Sequence, residues 1–364
     1  MVDSKIGQKR KKPGKSYDNK HRSGPAFDAK RSVTEKTDYV KEMQQSHVSS
    51  KKLVLRPRKY TVSIAIPSGI LDTAPTQELK TVLAGQIGRL LAIYNVDEII
   101  IYDEKARNAF AASEDNTHTG SGPSNLFLAR VLQYLETPQY LRKALVPISK
   151  DLRFAALLSP LDSPHHPQLD ERTKYREGVT VAKPVKEGRG SWVDVGLKNQ
   201  IQIERVLKPK VRVTVEMGDG AEKKSTTVSP KTPREVLGLY WGYTIRLAGS
   251  FSRVLTESPY KDGYDLTVGV SDRNSEPLAE QTNKLKPFSH MLIAFGGPNG
   301  GLQNAIDADE DLQCAGEDAN ELFDMFIIPS ATAGSRTIRT EEGIHMVMTS
   351  LQPHIETHGQ LNTV

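Results

Sequence analysis

Two loops of small residues in the C-terminal third of the chain have the composition of a ligand-binding site. One loop, 296–301, follows the apolar run 291–295, and the other, 329–339, follows the apolar run 326–328. Small residues let main-chain amides come close to a ligand, because little side chain stands in the way. Two strand-to-loop joints about thirty residues apart therefore predict one pocket built from neighbouring loops.

The two loops differ in how specific they are. The 296–301 loop lacks the G-x-G-x-x-G spacing of a dinucleotide site and the Gly-Lys-Ser/Thr ending of a phosphate loop, so a tight turn would explain its glycines equally well. In the 334–342 run, Thr340 can cap a helix. Capping does not require Arg336 and Arg339, which could pair with a phosphate or with the neighbouring carboxylates.

Other candidate groups carry less information. Arg89, on a predicted amphipathic helix, is either a surface residue or a guanidinium placed at a phosphate or a developing anion. His165 and His166 lie in a proline-broken stretch without a metal-ligand pattern, so we expect a surface loop and no metal. Cys314, the single cysteine, stands among acidic residues, which predicts a structural thiol.

Composition limits the class of protein. A chain of 364 residues with 37% hydrophobic residues and a mean hydropathy of -0.47 is typical of a soluble protein with two domains, or one large α/β domain with an insertion. One cysteine excludes an internal disulfide and agrees with a reducing compartment. No apolar run approaches the ~20 residues of a membrane helix. The first thirty residues also lack the apolar segment of a secretory signal.

The net charge of +5 is unevenly distributed. Residues 1–60 hold seventeen Lys/Arg and six Asp/Glu, a balance of +11, so the remainder carries -6. We expect residues 1–55 to form a disordered basic tail. Its densest run contains Lys9, Arg10, Lys11 and Lys12. One interpretation is that these residues are only solvated. The other is that they also direct the chain to the nucleus or bind RNA phosphates.

Hydrophobic patterns predict an α/β framework that would position the loops. In residues 56–160 they predict a strand at 60–66, a helix from Thr76 to Tyr94, a strand at 97–103 and a helix at 126–145 interrupted at Pro138. The alternation of strand and helix indicates stacked α/β layers.

Residues 161–232 have a different pattern, in which prolines separate short alternating runs. We expect a small antiparallel β-barrel inserted here, with strands at 178–182, 191–196, 200–203 and 211–215. The α/β pattern returns in residues 233–364. The predicted elements there include strands at 240–246, 264–270, 291–295 and 326–328, and a last helix from Thr340 to Gln352 stopped by Pro353.

Several of these segments together resemble one family. They are 60–69, 85–89, 96–99, 151–166, 176–179, 295–297 and 334–342. Over roughly residues 53–355 the chain resembles the RNA methyltransferases of the SPOUT superfamily, in their eukaryotic and archaeal form. The resemblance implies an α/β fold with a C-terminal trefoil knot and an inserted OB-like barrel. It also implies a dimer with its catalytic pocket near the subunit interface.

The resemblance further implies that three loops hold S-adenosylmethionine. The cofactor-binding residues implied by position are Val268, Gly269, Ser271, Arg273, Gly296, Gly297, Ile327, Ile328, Gly334, Ser335 and Ile338. Arg89 falls where related enzymes place an arginine near the target nucleotide, and Arg89 and Arg336 are our candidates for handling charge at the acceptor. The barrel and tail would hold RNA through phosphate contacts and stacking. The family points to pre-ribosomal RNA in the nucleolus.

The third of these loops departs from the family pattern. The family reads close to Val-Asn-Thr-Cys-Pro-Gly-Gln-Gly-Ser-Arg, whereas this chain has Ile328 and Ala333 at the Asn and Gln positions, and Pro329 lacks an amide donor. Two interpretations stay open. One is an active methyltransferase of ribosomal RNA. The other is a degenerate SPOUT protein that serves as an RNA-binding assembly factor and pairs with a more intact paralogue.

Overall fold

A computed structural model of the chain describes residues 56–104, 123–185, 189–218 and 225–361. The predicted basic tail, with Lys9, Arg10, Lys11 and Lys12, lies outside the described residues, as does most of the loop predicted at 104–124. Within the described part, none of the helices is both long enough and apolar enough to cross a membrane.

The described elements follow one another in an α/β order. The strands are β1 (Thr61–Pro67), β2 (Glu98–Tyr102), β3 (Tyr175–Val181), β4 (Trp192–Asp194), β5 (Ile201–Gln202), β6 (Arg212–Glu216), β7 (Thr226–Val228), β8 (Thr244–Ala248), β9 (Leu266–Val270), β10 (Glu276–Pro277), β11 (His290–Phe295) and β12 (Met325–Ile328). The α-helices are α1 (Gln77–Ile93), α2 (Pro123–Glu136), α3 (Gln139–Leu145), α4 (Thr232–Leu237), α5 (Phe251–Thr256), α6 (Leu278–Gln281), α7 (Gly301–Asp307) and α8 (Thr340–Leu361). Short 3-10 turns span Ser68–Thr73, Lys150–Leu152, Ala155–Leu157, Thr282–Lys284 and Gly316–Leu322.

Seven strands form one parallel sheet in the order β10-β12-β9-β11-β1-β2-β8. Every residue of β1 and β2 is buried, as expected for a parallel sheet covered on both faces. Ile64 and Ile66 belong to the larger core, beside α1, α2 and α8, while Ala65 belongs to a second core beside α5 and α7. Successive strand residues thus face opposite helical layers, which confirms the predicted α/β framework.

The seven strands are parallel, so they all begin at one edge of the sheet and all end at the opposite edge. We call the edge where the strands end the carboxyl edge, and the edge where they begin the amino edge. After β1 the chain makes the 3-10 turn Ser68–Thr73. Helix α1 begins directly after Thr76, whose hydroxyl accepts from the Leu79 N–H at 3.3 Å. Helix α2 ends at Glu136, which lines a cavity with Thr61 and Thr244, the first residues of β1 and β8. Helix α2 therefore runs from the carboxyl edge down to the amino edge.

The insertion is a curled five-stranded antiparallel sheet in the order β5-β4-β3-β6-β7. Its small core contains Val193, Val195, Ile203 and Val215. In the described residues the end strands β5 and β7 do not pair with each other, so the sheet is a half-barrel and the predicted small antiparallel β-barrel is confirmed only in part. Its two ends approach each other through the Glu204 carboxylate, which accepts from the Thr227 hydroxyl at 2.7 Å.

The strand predicted at 240–246 begins four residues later, at Thr244. Two tyrosines before it are buried, and their hydroxyls donate to main-chain carbonyls: Tyr240 to Val96 at 3.0 Å and Tyr243 to Leu132 at 3.0 Å. Gly242 between them has a φ of 86°, a left-handed conformation that ends strand geometry. These tertiary contacts override the local β-pattern.

The last helix does not stop at Pro353, as the sequence predicts, but continues to Leu361. Leu351 and Ile355, on either side of the proline, are both buried in the larger core. An interior proline costs a helix roughly 3 kcal/mol because it lacks an N–H and crowds the preceding turn. Burial of the two neighbouring side chains offsets that cost.

Candidate functional site

Three loops begin side by side at the carboxyl edge. They follow β9, β11 and β12, which are adjacent in the sheet. The register pairs Val270 with both Phe295 and Ile327, so the three strands end at nearly the same level. The first loop is 271–275, the second loop is 296–300 and the third loop is 329–339. The structure thus brings together the three segments that the resemblance assigns to the cofactor.

The first loop is fixed by the elements beside it. The Ser271 N–H donates to the Ile327 carbonyl at 3.1 Å, which ties this loop to β12. The buried side chain of Gln303, on α7, lies 2.7 Å from the Ser271 hydroxyl and donates to the Arg273 carbonyl at 3.1 Å. These bonds hold Ser271 and Arg273 in one arrangement.

The second loop is tied to the end of the third. The Thr340 hydroxyl donates to the Gly296 carbonyl at 2.9 Å. Thr340 is the first residue of α8, directly after the third loop. Sequence reasoning assigned Thr340 to helix capping, and in the structure its side chain joins the two loops.

Some of the candidate cofactor residues are explained by packing alone. Val268 is fully buried in the larger core. A Cβ on Gly269 would collide with the Phe326 ring, and a Cβ on Gly296 would collide with the Leu302 main chain. Glycine is therefore required at both positions for close packing, whether or not a ligand binds.

Packing does not explain the residues of the third loop, since residues 331–337 are all exposed. A Cβ on Gly334 would meet nothing within 4 Å, so packing does not require a glycine there. Ser335 and Arg336 project from this exposed loop, and no ion pair or hydrogen bond within the described residues engages the Arg336 side chain. Ile338 is half-buried. The loop offers main-chain groups and the Arg336 cation to the space in front of it, while its second cation, Arg339, pairs with Glu341 at 3.9 Å.

A cavity of about 410 Å³ lies beside the third loop, between α6 and α8. Ile327, Ile328 and Pro329 form one wall, and His354 of α8 lies on another. The wall that β12 contributes is therefore apolar.

The residues of this edge fit the S-adenosyl compound that the resemblance implies. Ile327 and Ile328 supply apolar surface for a flat ring, and the small exposed residues of the third loop leave its main-chain groups accessible. Because Ile328 and Ala333 carry no side-chain donor or acceptor, polar recognition has to come mainly from the main chain.

Arg89 lies away from these loops. It is exposed near the end of α1, and its guanidinium donates to the Pro160 carbonyl at 2.7 Å. Helix α1 starts behind the carboxyl edge at Gln77, so Arg89 is twelve residues, or ~18 Å, further along the helix. Its predicted role near the acceptor stays a prediction.

Three polar residues at the carboxyl edge escaped the sequence reasoning. They are Glu104, Asn125 and Asn299. A usable signal exists for Glu104, because it comes two residues after the buried strand β2, at the edge where ligands bind in parallel sheets. Nothing in the sequence distinguishes Asn125 from an ordinary polar residue in the first turn of a helix.

A second charged cluster lies at the amino edge and joins the inserted sheet to the parallel sheet. Arg212 of β6 donates to both carboxylate oxygens of Glu136, at 2.6 and 2.8 Å, and to Glu177 of β3 at 2.6 Å. The Trp241 indole donates to Glu177 at 2.5 Å. Burial would raise the pKa of Glu136, but hydrogen bonds from Arg212 and His165 outweigh it and lower that pKa to about 2. The Glu136 carboxylate therefore stays ionised at neutral pH.

The predicted surface loop at His165 and His166 is wrong, because His165 is fully buried beside this cluster. The Nε2 atoms of both rings lie at the Glu136 carbonyl, at 3.0 and 2.7 Å, and since a carbonyl only accepts, both must donate. Burial and the adjacent His165 lower the pKa of His166 to about 3. Cys314 is half-buried, and burial together with Asp318 raises its pKa, as expected for a structural thiol.

Comparison with known proteins gives a consistent result. Residues 61–351 match the family described as "Putative RNA methyltransferase". The chain is 44% identical over 332 residues to the 28S rRNA (uridine-N(3))-methyltransferase of Homo sapiens, covering 90% of this chain and 86% of that protein. It is 46% identical over 308 residues to the Mus musculus protein of the same name, covering 83% and 78%. The Drosophila melanogaster protein of that name is 42% identical over 313 residues, covering 83% and 64%. The chain therefore belongs to this RNA methyltransferase family, in agreement with the SPOUT resemblance.

Proposed function

We propose that this protein transfers the methyl group of S-adenosylmethionine to N3 of a uridine in large-subunit ribosomal RNA during ribosome assembly. One observation carries the proposal. The three loops of the resemblance converge at a single sheet edge, in a chain 44% identical to a protein named as a 28S rRNA uridine-N3 methyltransferase. A SPOUT-type knot formed by the segment from β9 to α8 belongs to the same proposal, because all three loops lie in that segment.

When bound, the cofactor would supply an electrophilic methyl group. The main chain of the second and third loops would hold its polar parts, and Ile327 and Ile328 would contact its ring. Arg336, exposed in the third loop, is placed to hold the RNA phosphate or to stabilise negative charge as the acceptor loses its proton. Arg89 could reach an acceptor only from a second copy of the chain, so its role depends on the dimer that we also propose.

Contacts on the inserted sheet support RNA binding outside the loops. Within the described residues, this sheet and its turns carry six exposed basic residues: Lys183, Arg189, Lys198, Arg205, Lys208 and Lys210. The Lys183 ammonium lies 5.5 Å from the centre of the Trp192 ring, which pairs a cation with a stacking surface. Basic groups and an aromatic face are what single-stranded RNA requires. With the basic tail, this surface would hold pre-ribosomal RNA, and we place the protein in the nucleolus on that basis.

Calorimetry with S-adenosylmethionine and S-adenosylhomocysteine tests the proposal. We expect saturable binding of both, at one site per protomer. The replacement of Asn and Gln by Ile328 and Ala333 supports the second candidate function, a degenerate assembly factor that binds RNA without cofactor. No heat at millimolar cofactor, from protein that still binds ribosomal RNA, would favour that candidate instead.

A further inference from the structure

The three loops occupy only part of the carboxyl edge. In the strand order β12-β9-β11-β1-β2, the loops that the resemblance assigns to the cofactor follow the first three strands. The ends of β1 and β2 lie directly beside them. We call this neighbouring region, built from the Ser68–Thr73 turn, Glu104 and Asn125, the β1–β2 end.

Glu104 lies where the β1–β2 end meets the second loop. A Cβ on Gly69 or on Gly297 would collide with its carboxylate, so two glycines from different segments leave room for this one group. The Asn299 side-chain amide donates to Glu104 Oε1 at 2.8 Å. The Glu104 residue is only 9% exposed. A buried carboxylate is thus held at the border of the cofactor loops.

Asn125 is the second unusual group of the β1–β2 end. It is 0% exposed, yet within the described residues neither its Nδ2 nor its Oδ1 has a hydrogen-bond partner. Leaving such an amide buried and unpaired destabilises the folded chain, because the amide has lost its hydrogen bonds to water without replacing them. Packing therefore does not explain an asparagine here, whereas a ligand that pairs with the amide does.

The position of Asn125 follows from the course of α2. Glu136 ends this helix at the amino edge, and Asn125 is eleven residues earlier, which places it ~16 Å higher, at the carboxyl edge. The helix packs against the Ser68–Thr73 turn and β2. Asn125 also shares a helix face with the buried Leu128 and Leu132, three and seven residues on, so it faces the sheet.

We propose that Glu104 and Asn125 form the acceptor half of the active site, with Glu104 as the base for uridine N3 and Asn125 as a donor to the uracil carbonyl beside it. This rests on the proposed function, since it assigns the acceptor of that reaction. The N3 atom of uracil carries a proton, so its electron pair becomes available only when a base removes that proton.

The proposed step balances as follows. The N3 proton passes to the Glu104 carboxylate, and the electron pair stays on N3. N3 then bonds to the methyl carbon, while the pair of the broken carbon–sulfur bond stays on sulfur, and Glu104 later releases its proton to water. Negative charge that develops on the uracil oxygen during proton removal is stabilised by the Asn125 N–H.

The experiment uses the full-length protein and large-subunit ribosomal RNA from cells that lack it. Single-turnover transfer of labelled methyl is followed from pH 6 to 9, beside calorimetry with S-adenosylhomocysteine and thermal unfolding. Glu104→Gln keeps the size of the side chain and an acceptor for Asn299, and we expect ~100-fold slower transfer with unchanged S-adenosylhomocysteine affinity. The remaining methyl-transfer rate of Glu104→Gln should keep rising with pH, because at higher pH a larger fraction of the uridine N3 atoms has already lost its proton. The matched control Glu310→Gln, at an exposed position, should behave as wild type.

Asn125→Leu provides a test that does not depend on Glu104. Because it removes an unpaired buried amide, the variant should unfold at the wild-type temperature or above it, yet transfer methyl ~100-fold more slowly. The N3 proton of 5-fluorouridine is more acidic than that of uridine. With RNA transcribed with 5-fluorouridine, the difference in methyl-transfer rate between wild type and Glu104→Gln should therefore become smaller.

Three outcomes separate this inference from the function on which it rests. If wild type methylates RNA and Glu104→Gln does so within about threefold and with the same pH profile, Glu104 is not the base and the inference is overturned. A folded Asn125→Leu variant with wild-type transfer overturns the role of Asn125. If wild type itself neither binds S-adenosylhomocysteine nor methylates RNA, the proposed function fails and the inference falls with it.

Discussion

At the scale of single residues, Gly296 and Gly334 show that glycines in ligand-like loops have two different causes. The position of a Cβ on Gly296 is filled by the main chain of Leu302, whereas a Cβ on Gly334 would point into open space. The first glycine is therefore needed for the fold. The second is available for close approach of a ligand to the main chain.

This difference predicts opposite results for two alanine variants. Gly296→Ala should lower the free energy of unfolding by about 1–3 kcal/mol, because the main chain at Leu302 has to move. Gly334→Ala should leave that free energy unchanged but weaken S-adenosylmethionine binding at least ~10-fold, because its methyl group enters the space we assign to the cofactor. Denaturant unfolding and calorimetry measure the two effects. Equal stability losses in both variants would contradict this assignment.

At the scale of elements, the sheet and the helices that cover it determine where the loops lie. The apolar runs of β1, β2, β9, β11 and β12 were sufficient to predict the framework from sequence, because buried parallel strands leave a local signal. The continuation of α8 beyond Pro353, and the two-residue strand β10, depend on tertiary contacts and could not be predicted.

The same distinction holds for the candidate site. The family resemblance assigns Ser271, Gly296 and Ile327 to the cofactor by position, and the structure brings their loops together. Glu104 and Asn125 were missed because what sets them apart is burial and the neighbours they have or lack, which no local pattern reveals. The surface position predicted for His165 was wrong for the same reason, since its burial depends on Glu136, which lies on another element.

The end of α2 gives the protein a predicted pH dependence. The pKa of His166 is about 3 in the folded state, below its unfolded value near 6.5. The unfolded chain therefore binds more protons between these values, so the free energy of unfolding should fall as the pH drops from about 6.5 to 3, by up to ~1.4 kcal/mol per pH unit from this group. Glu136, with a folded pKa of about 2, loses its own contribution only below about pH 4.5.

His166→Gln isolates the histidine, since glutamine can still donate to the Glu136 carbonyl. Denaturant unfolding at pH 7, 5.5 and 4 should give a shallower loss of stability in the variant than in wild type. If the free energy of unfolding of the variant falls with pH as steeply as that of wild type, burial does not lower the pKa of His166.

At the scale of the whole molecule, basic charge is concentrated in two regions of the chain. Residues 1–60 carry a balance of +11, while the described residues of the inserted sheet and its turns present six exposed Lys and Arg side chains. The described residues, from 56 onward, belong to one compact unit, which we call the body. The body contains all three hydrophobic cores and the candidate site, and residues 1–54 add charge.

Deletion of residues 1–54 should therefore leave the thermal unfolding of the remainder unchanged. The affinity for ribosomal RNA should fall, and its dependence on salt should become shallower by ~0.7 in the logarithmic slope for each RNA phosphate that the tail neutralises. Fluorescence anisotropy across a salt series measures both. An unchanged slope would limit the tail to roles other than RNA binding.

The central claim is that the carboxyl edge of the parallel sheet is a working methyl-transfer site for ribosomal uridine. Its most direct test is nucleoside mass spectrometry of large-subunit ribosomal RNA, taken from cells that lack the protein and incubated with purified protein and S-adenosylmethionine. We predict that N3-methyluridine is formed by wild type, and at least ~10-fold more slowly by Gly334→Ala at limiting cofactor. Folded wild-type protein that binds this RNA but leaves its uridines unmethylated at saturating cofactor would contradict the claim.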